Sequence, residues 1–260
     1  MNLVEVYATV TDRAGEPVTG LAQSDFTVLE DGAARAITAF AAGEFPLAVA
    51  IGLDRSFSMG GRDNRLAVVK SAARTLVGAL RPDDQVMIVA IGSDTAVAAP
   101  LSADHAAALA AIDRLDAWGT TPLYDATLGA LDAIQPARGR RALVLLSDGN
   151  DRYSSATAAE ALERARRADV MIYPVALGSA RPPLFAELSS VTGGRSFLAS
   201  DPKTLPDTLR RIARELRQQY LLGYTPTRPP VPGSGEWRSI TVRVKRADVH
   251  VHARDGYLVK

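Results

Sequence analysis

Cysteine is absent from the 260 residues, which excludes disulfides and thiolate metal sites. An excess of one charge sign is lacking too. Lys and Arg number 30 against 29 Asp and Glu, a formal charge of +1, so there is no global nucleic-acid footprint. No apolar run reaches the roughly 20 residues of a membrane span. The chain begins with an alternating strand pattern (Leu3–Val10), not with the basic, apolar and small-residue order of a signal peptide. Either the protein is cytoplasmic or an export signal has been removed ahead of Met1. No internal repeat is found.

The remaining composition is ordinary for a globular protein, 47% apolar and 23% charged. At this length it supports one large core or two modest ones. The near-zero total hides an asymmetry. From Lys203 to Lys260 there are twelve Lys/Arg against five Asp/Glu, a pattern expected of a solvated basic helix face and strand edge, with an acidic partner as the alternative.

Residues 1–44 read as β structure. Val4, Val6, Ala8 and Val10 alternate with Glu5, Tyr7 and Thr9, the period of a half-buried strand. Turns are expected at Asp12–Gly15 and Glu30–Gly32, and further strands at Ser24–Leu29 and Ile37–Phe40. From Phe45 the pattern becomes alternating strands and helices. Strands are expected at 47–53, 85–91, 141–146, 170–177 and 196–199. Helices are expected at 64–80, 103–115, 123–134, 157–168, 184–191 and 205–219, with Thr157 and Glu160 forming a capping box. Near-continuous apolar strands separated by helices predict an α/β fold, a doubly wound and mostly parallel sheet with helices on both faces. After Gln219 β character returns at 220–224, 238–246 and 249–253, interrupted by a Pro- and Gly-rich loop, Thr225–Gly235, expected to be mobile. The expected organisation is an α/β domain over 45–219, with residues 1–44 and 220–260 forming one small β-sandwich-like unit.

Three segments carry oxygen ligands to strand or helix ends. The apolar run from Leu47 ends in Asp54-x-Ser56-x-Ser58, an acid and two hydroxyls at alternate positions. Gly119-Thr120-Thr121 precedes a helix, and Ser147-Asp148-Gly149 ends another apolar strand. In a doubly wound sheet such ends converge at the topological switch point. Hard oxygen donors in one place suit Mg²⁺, with Mn²⁺ or Ca²⁺ as alternatives. Each segment also has a plainer reading. Asp54, Ser56 and Ser58 could cap a helix, Asp148-Gly149 could be a simple turn, and Asp125 suits a helix N-terminus. His250 and His252 share one strand face, where two exposed residues are favoured over a metal pair.

In order and context, Asp54, Ser56, Ser58, Thr121 and Asp148 resemble the metal-ion-dependent adhesion site of von Willebrand factor type A domains. The resemblance spans roughly residues 45–200. Thr121 is preferred to Thr120 because Thr121-Pro-Leu123-Tyr-Asp-Ala126 fits the family's continuation without a shift. The flanks (Val10–Leu21, Glu30-Asp-Gly32, Leu222–Pro226, Ala253–Tyr257) resemble a mostly uncharacterised bacterial subfamily, which implies export. The resemblance implies that the three hydroxyls bind Mg²⁺ directly, that the two acids act directly or through water, and that a partner protein's Asp or Glu supplies the last ligand. Arg55, Phe57, Thr120 and Asp151 would form the rim around that ligand. The resemblance also raises an affinity switch through the last helix, 205–219.

This reading makes the chain a secreted adhesion or interaction module with no catalytic residue. An assembly domain binding through its β unit is the alternative. A metal-dependent hydrolase is disfavoured. Position 56 is Ser where phosphatase loops carry a second acid, and the three histidines (105, 250 and 252) lie outside the ligand loops.

Overall fold

A computed structural model describes residues 3–43, 45–61, 64–229 and 235–259. The Thr225–Gly235 loop therefore falls partly outside the described residues. At the centre is a six-stranded sheet. Its strands are β5 (Leu47–Asp54), β6 (Gln85–Ile91), β7 (Thr95–Ser102), β8 (Arg140–Ser147), β9 (Met171–Leu177) and β10 (Phe197–Ala199), in the order β10-β9-β8-β5-β6-β7. All neighbours run parallel except β7, which pairs antiparallel with β6 at the edge. Strand β7 is missing from the sequence reading. It lacks a long apolar run and carries Pro100, which an edge strand tolerates and a central one does not.

Alternation across β5 explains why its eight residues are all buried. Val49, Ile51 and Leu53 pack with α1 (Arg65–Ala79), α2 (His105–Arg114) and α6 (Leu205–Arg217). Ala48 and Ala50 face the other layer, made by α3 (Leu123–Ile134), α4 (Ala158–Ala168) and α5 (Pro183–Thr192). Helix α2 starts two residues later than its pattern suggests, because the Asp104 side chain accepts from the amides of Ala106 and Ala107 and so caps it. The expected capping box of α4 is present, with Thr157 and Glu160 bonding reciprocally.

The terminal segments build two antiparallel sheets, each mixing N- and C-terminal strands. One has the order β13-β1-β11-β4, from β1 (Val4–Asp12), β4 (Ile37–Gly43), β11 (Gln219–Tyr224) and β13 (Val249–Ala253). The other is β14-β12-β2-β3, from β2 (Phe26–Glu30), β3 (Ala33–Arg35), β12 (Trp237–Val244) and β14 (Gly256–Leu258). Both contribute to one core, in which Val6 and Val10 of β1 meet Val28, Leu222, Tyr224 and Ile240. Arg140, at the start of β8, joins this sandwich to the central sheet. It is buried and donates to the Gln219 side chain at 2.6 Å and to the Phe45 carbonyl at 2.7 Å. Burial pulls its pKa down to about 10.

Candidate metal centre

Strand order reverses at β5, which has β6 on one side and β8 on the other. The C-terminal ends of β5 and β8 therefore meet at the switch point, where open α/β sheets bind ligands. Asp54 ends β5 and is fully buried. Both its oxygens are held. Oδ1 accepts from the Ser56 amide at 2.9 Å, and Oδ2 accepts from the Ser147 hydroxyl, at the end of β8, at 2.7 Å. The Ser56 and Ser58 hydroxyls lie 2.9 Å apart, and Ser58 donates to Asp148 Oδ2 at 3.0 Å. Four of the five expected ligands thus form one connected cluster.

Thr121 sits on the neighbouring loop and its hydroxyl bonds to none of the other four. The loop is tied in by backbone. The Phe57 amide donates to the Gly119 carbonyl at 2.9 Å, and the Arg152 amide donates to the Thr121 carbonyl at 2.7 Å. Gly119 has φ +82°, and a Cβ there would strike Ser93, so the turn that delivers Thr121 requires glycine. Gly149, at φ +78°, likewise lets the Pro182 ring pack against the loop that carries Asp148.

The electrostatics of the cluster centre on Asp54. Burial raises the Asp54 pKa above the ordinary carboxylate range, against the hydrogen bonds from Ser56 and Ser147, and the Asp148 charge raises it further. Among the described residues no Lys or Arg pairs with Asp54 or Asp148. A fully buried carboxylate joined through serine hydroxyls to a second one is an oxygen-donor set that could hold a divalent ion. Among the described residues no group of three or more His, Cys, Asp or Glu could hold a metal. The cluster has two acids, and its other donors are hydroxyls.

The expected rim residues divide. Phe57 is 67% exposed. Arg55 lies back over the Trp118 ring, 5.0 Å from its centroid. Thr120 is half-buried, its amide bonded to Ser93 Oγ at 3.2 Å. Asp151 turns inward. Its Oδ1 accepts from the Tyr124 amide at 3.2 Å and from Ser154 Oγ at 2.5 Å, capping α3. Asp125 does the converse, accepting from the amides of Ser155 and Ala156 at 2.8 and 2.9 Å. Sequence reasoning gave Ser147 no role, although it stands next to Asp148 at a strand end. Nor did it give one to Trp118 or Tyr153, whose exposure becomes visible only in the fold. His252 is half-buried, not exposed as expected. Burial, then Arg195 and His250, lowers its pKa to about 4.

A family profile for the von Willebrand factor type A domain matches residues 49–150. Over that span the chain is similar to the von Willebrand factor type A family. Solved structures are similar in fold at low identity. BatB from Bacteroides thetaiotaomicron has a TM-score of 0.53 at 18% identity, over 65% of this chain and 98% of its own. The von Willebrand factor type A protein from Catenulispora acidiphila has a TM-score of 0.60 at 15% identity, over 98% of this chain and 74% of its own. Proximal thread matrix protein 1 from the mussel byssus, with a zinc-occupied MIDAS motif, has a TM-score of 0.61 at 16% identity, over 72% of this chain and 50% of its own. No protein of curated function matches. The match to the Catenulispora protein extends beyond residues 49–150 into the terminal sheets.

Proposed function

We propose that this chain binds Mg²⁺ through Asp54, Ser56, Ser58, Thr121 and Asp148, and captures a carboxylate of a partner protein. The observation that carries the reading is Asp54, a buried carboxylate with no cationic partner among the described residues, beside the Ser56–Ser58–Asp148 chain. The zinc-occupied MIDAS of the mussel protein supports divalent-ion binding on this fold. Oxygen-only donors favour a hard ion such as Mg²⁺, with Mn²⁺ and Ca²⁺ as competitors. Bound there, the metal supplies positive charge and an open coordination position to an incoming acid.

The residues serve binding and not turnover. Ser147 donates to Asp54, and no histidine stands by the serines. His105 bonds the Asp84 carbonyl, and His250 and His252 lie on β13 of the sandwich. A hydroxyl nucleophile here has no base beside it. The unit over 45–219 is the binding head and the sandwich of 1–44 with 220–260 its mount. The pilus-tip protein Mfa5 among the similar structures favours an exported location.

Isothermal titration with Mg²⁺ tests the site. The native protein should bind one equivalent. Asp54→Asn, shown folded by circular dichroism, should bind at least tenfold more weakly. Equal binding by both would remove the assignment.

A further inference from the structure

We infer that the partner presents its carboxylate flanked by apolar side chains, received on a rim made by Phe57, Trp118 and Tyr153. The inference rests on the carboxylate-capture reading above. The exposed large apolar side chains among the described residues are Leu3, Phe57, Val97, Trp118, Tyr153 and Leu198. The three aromatic ones each sit on a different loop of the oxygen cluster. Phe57 lies between Ser56 and Ser58, Trp118 precedes Gly119, and Tyr153 follows Asp148 by five residues. The chain has only 15 aromatic residues in all, so their gathering at one end is not a product of abundance.

Backbone bonds fix the three together. The Phe57 amide donates to Gly119, next to Trp118, and the Trp118 amide donates to the Arg55 carbonyl at 2.7 Å. Arg55 then packs on the Trp118 ring and supports it from behind. Tyr153 adjoins Arg152, whose amide is bonded to Thr121. Exposure is 67% for Phe57, 44% for Trp118 and 82% for Tyr153. Tyr153 also has φ +70°, a left-handed conformation that a residue with a Cβ rarely adopts. Asn or Gly would make that turn more easily. An exposed tyrosine kept there is the mark of a functional loop.

Charge selects the occupant. Arg152 adjoins Tyr153, and Arg181 adjoins Pro182, which packs on Gly149. Both arginines are exposed, and neither side chain pairs with an acid among the described residues. Aromatic surface beside unpaired cations fits an acidic peptide segment with apolar neighbours. An uncharged apolar surface would leave those arginines unmatched.

The test uses two labelled, capped pentapeptides with a central Asp, one flanked by four Gly and the other by four Leu. Fluorescence anisotropy is read in Mg²⁺ and in EDTA. The native protein should bind the Leu peptide about tenfold more tightly than the Gly peptide, in Mg²⁺ only. Phe57→Ser with Tyr153→Ser should bring the two within about twofold while leaving the calorimetric Mg²⁺ affinity unchanged. Equal affinities in the native protein, or a preference that survives the double substitution, would overturn the rim. A Leu preference that persists in EDTA would detach the rim from the metal and overturn the inference as stated. Self-association by light scattering that excludes both peptides would assign the rim to a second copy. Failure of both peptides to bind a monomeric, Mg²⁺-loaded protein would instead overturn carboxylate capture itself.

Discussion

The Ser147 hydroxyl donates a hydrogen bond to Asp54 Oδ2, and that 2.7 Å bond stitches the end of β8 to the end of β5. The same hydroxyl accepts from the Gly149 amide at 3.0 Å, so it also shapes the turn that carries Asp148. Ser147 is thus a positioning residue for both acids of the proposed site. Partners that orient metal ligands typically contribute 10- to 100-fold in metal affinity. Ser147→Ala should weaken Mg²⁺ binding within that range while the protein stays folded, read by titration calorimetry with circular dichroism alongside. An unchanged affinity would show that β5 alone holds Asp54 in place.

The reciprocal bonds of Asp125 and Asp151 yield a second expectation. Asp151 caps α3 from the loop after β8, and Asp125, on α3, holds the amides of Ser155 and Ala156 in that loop. Losing hydrogen bonds to an ionised acceptor of this kind costs roughly 1–2 kcal/mol. Asp125→Ala should therefore lower stability by about that amount and speed amide exchange at 155 and 156, with little change in the core strands. Hydrogen exchange read by mass spectrometry separates this local release from global unfolding.

The central strands were legible because they are apolar on both faces and so appear as unbroken runs. Strands β3, β7 and β14 were not, since they are short or lie at a sheet edge and owe their existence to a non-local partner. The meeting of Asp54, Ser56, Ser58 and Asp148 was legible because each carries a chemical type at a strand end, where the fold class converges such residues. Asp151 shows the limit. Its place after Asp148 allowed either a rim contact or an ordinary loop role, but which way an acid turns depends on which amides lie within reach, and the Tyr124 amide came near it only through folding. Two of the rim aromatics were hidden for a similar reason. Phe57 was legible from its place inside the motif, whereas Trp118 and Tyr153 look like core residues until the fold leaves them outside.

Gly119 tests how the loop of Thr121 is delivered. At φ +82°, and with Ser93 where a Cβ would stand, alanine meets both backbone strain and a clash. The left-handed conformation alone costs a residue with a Cβ about 1 kcal/mol. Gly119→Ala should lower stability by more than that and weaken Mg²⁺ binding together with it. Ser93→Gly in the same chain should recover little of either loss, because the atom nearest the new methyl is the Ser93 backbone nitrogen, at 2.3 Å, which stays.

Buried Glu215 and half-buried His252 should give opposite pH slopes. Burial lifts the Glu215 carboxyl to about 7, outweighing its ion pair with Arg195. Its folded value lies above the unfolded value near 4.3, so its contribution to stability is full below about pH 4.3 and is lost as pH rises through 7. His252 is the reverse. Its folded value of about 4 lies below the unfolded 6.5, so its contribution is present above 6.5 and lost as pH falls towards 4. In the native protein the two slopes oppose each other between about pH 4.5 and 6.5, and replacing either group should expose the other. With chelator present to silence the metal site, the Tm of His252→Gln relative to native should rise as pH falls from 6.5 to 4. The Tm of Glu215→Gln relative to native should rise as pH climbs from 4.5 to 7. Parallel profiles for all three proteins would mean that neither group changes its proton affinity on folding.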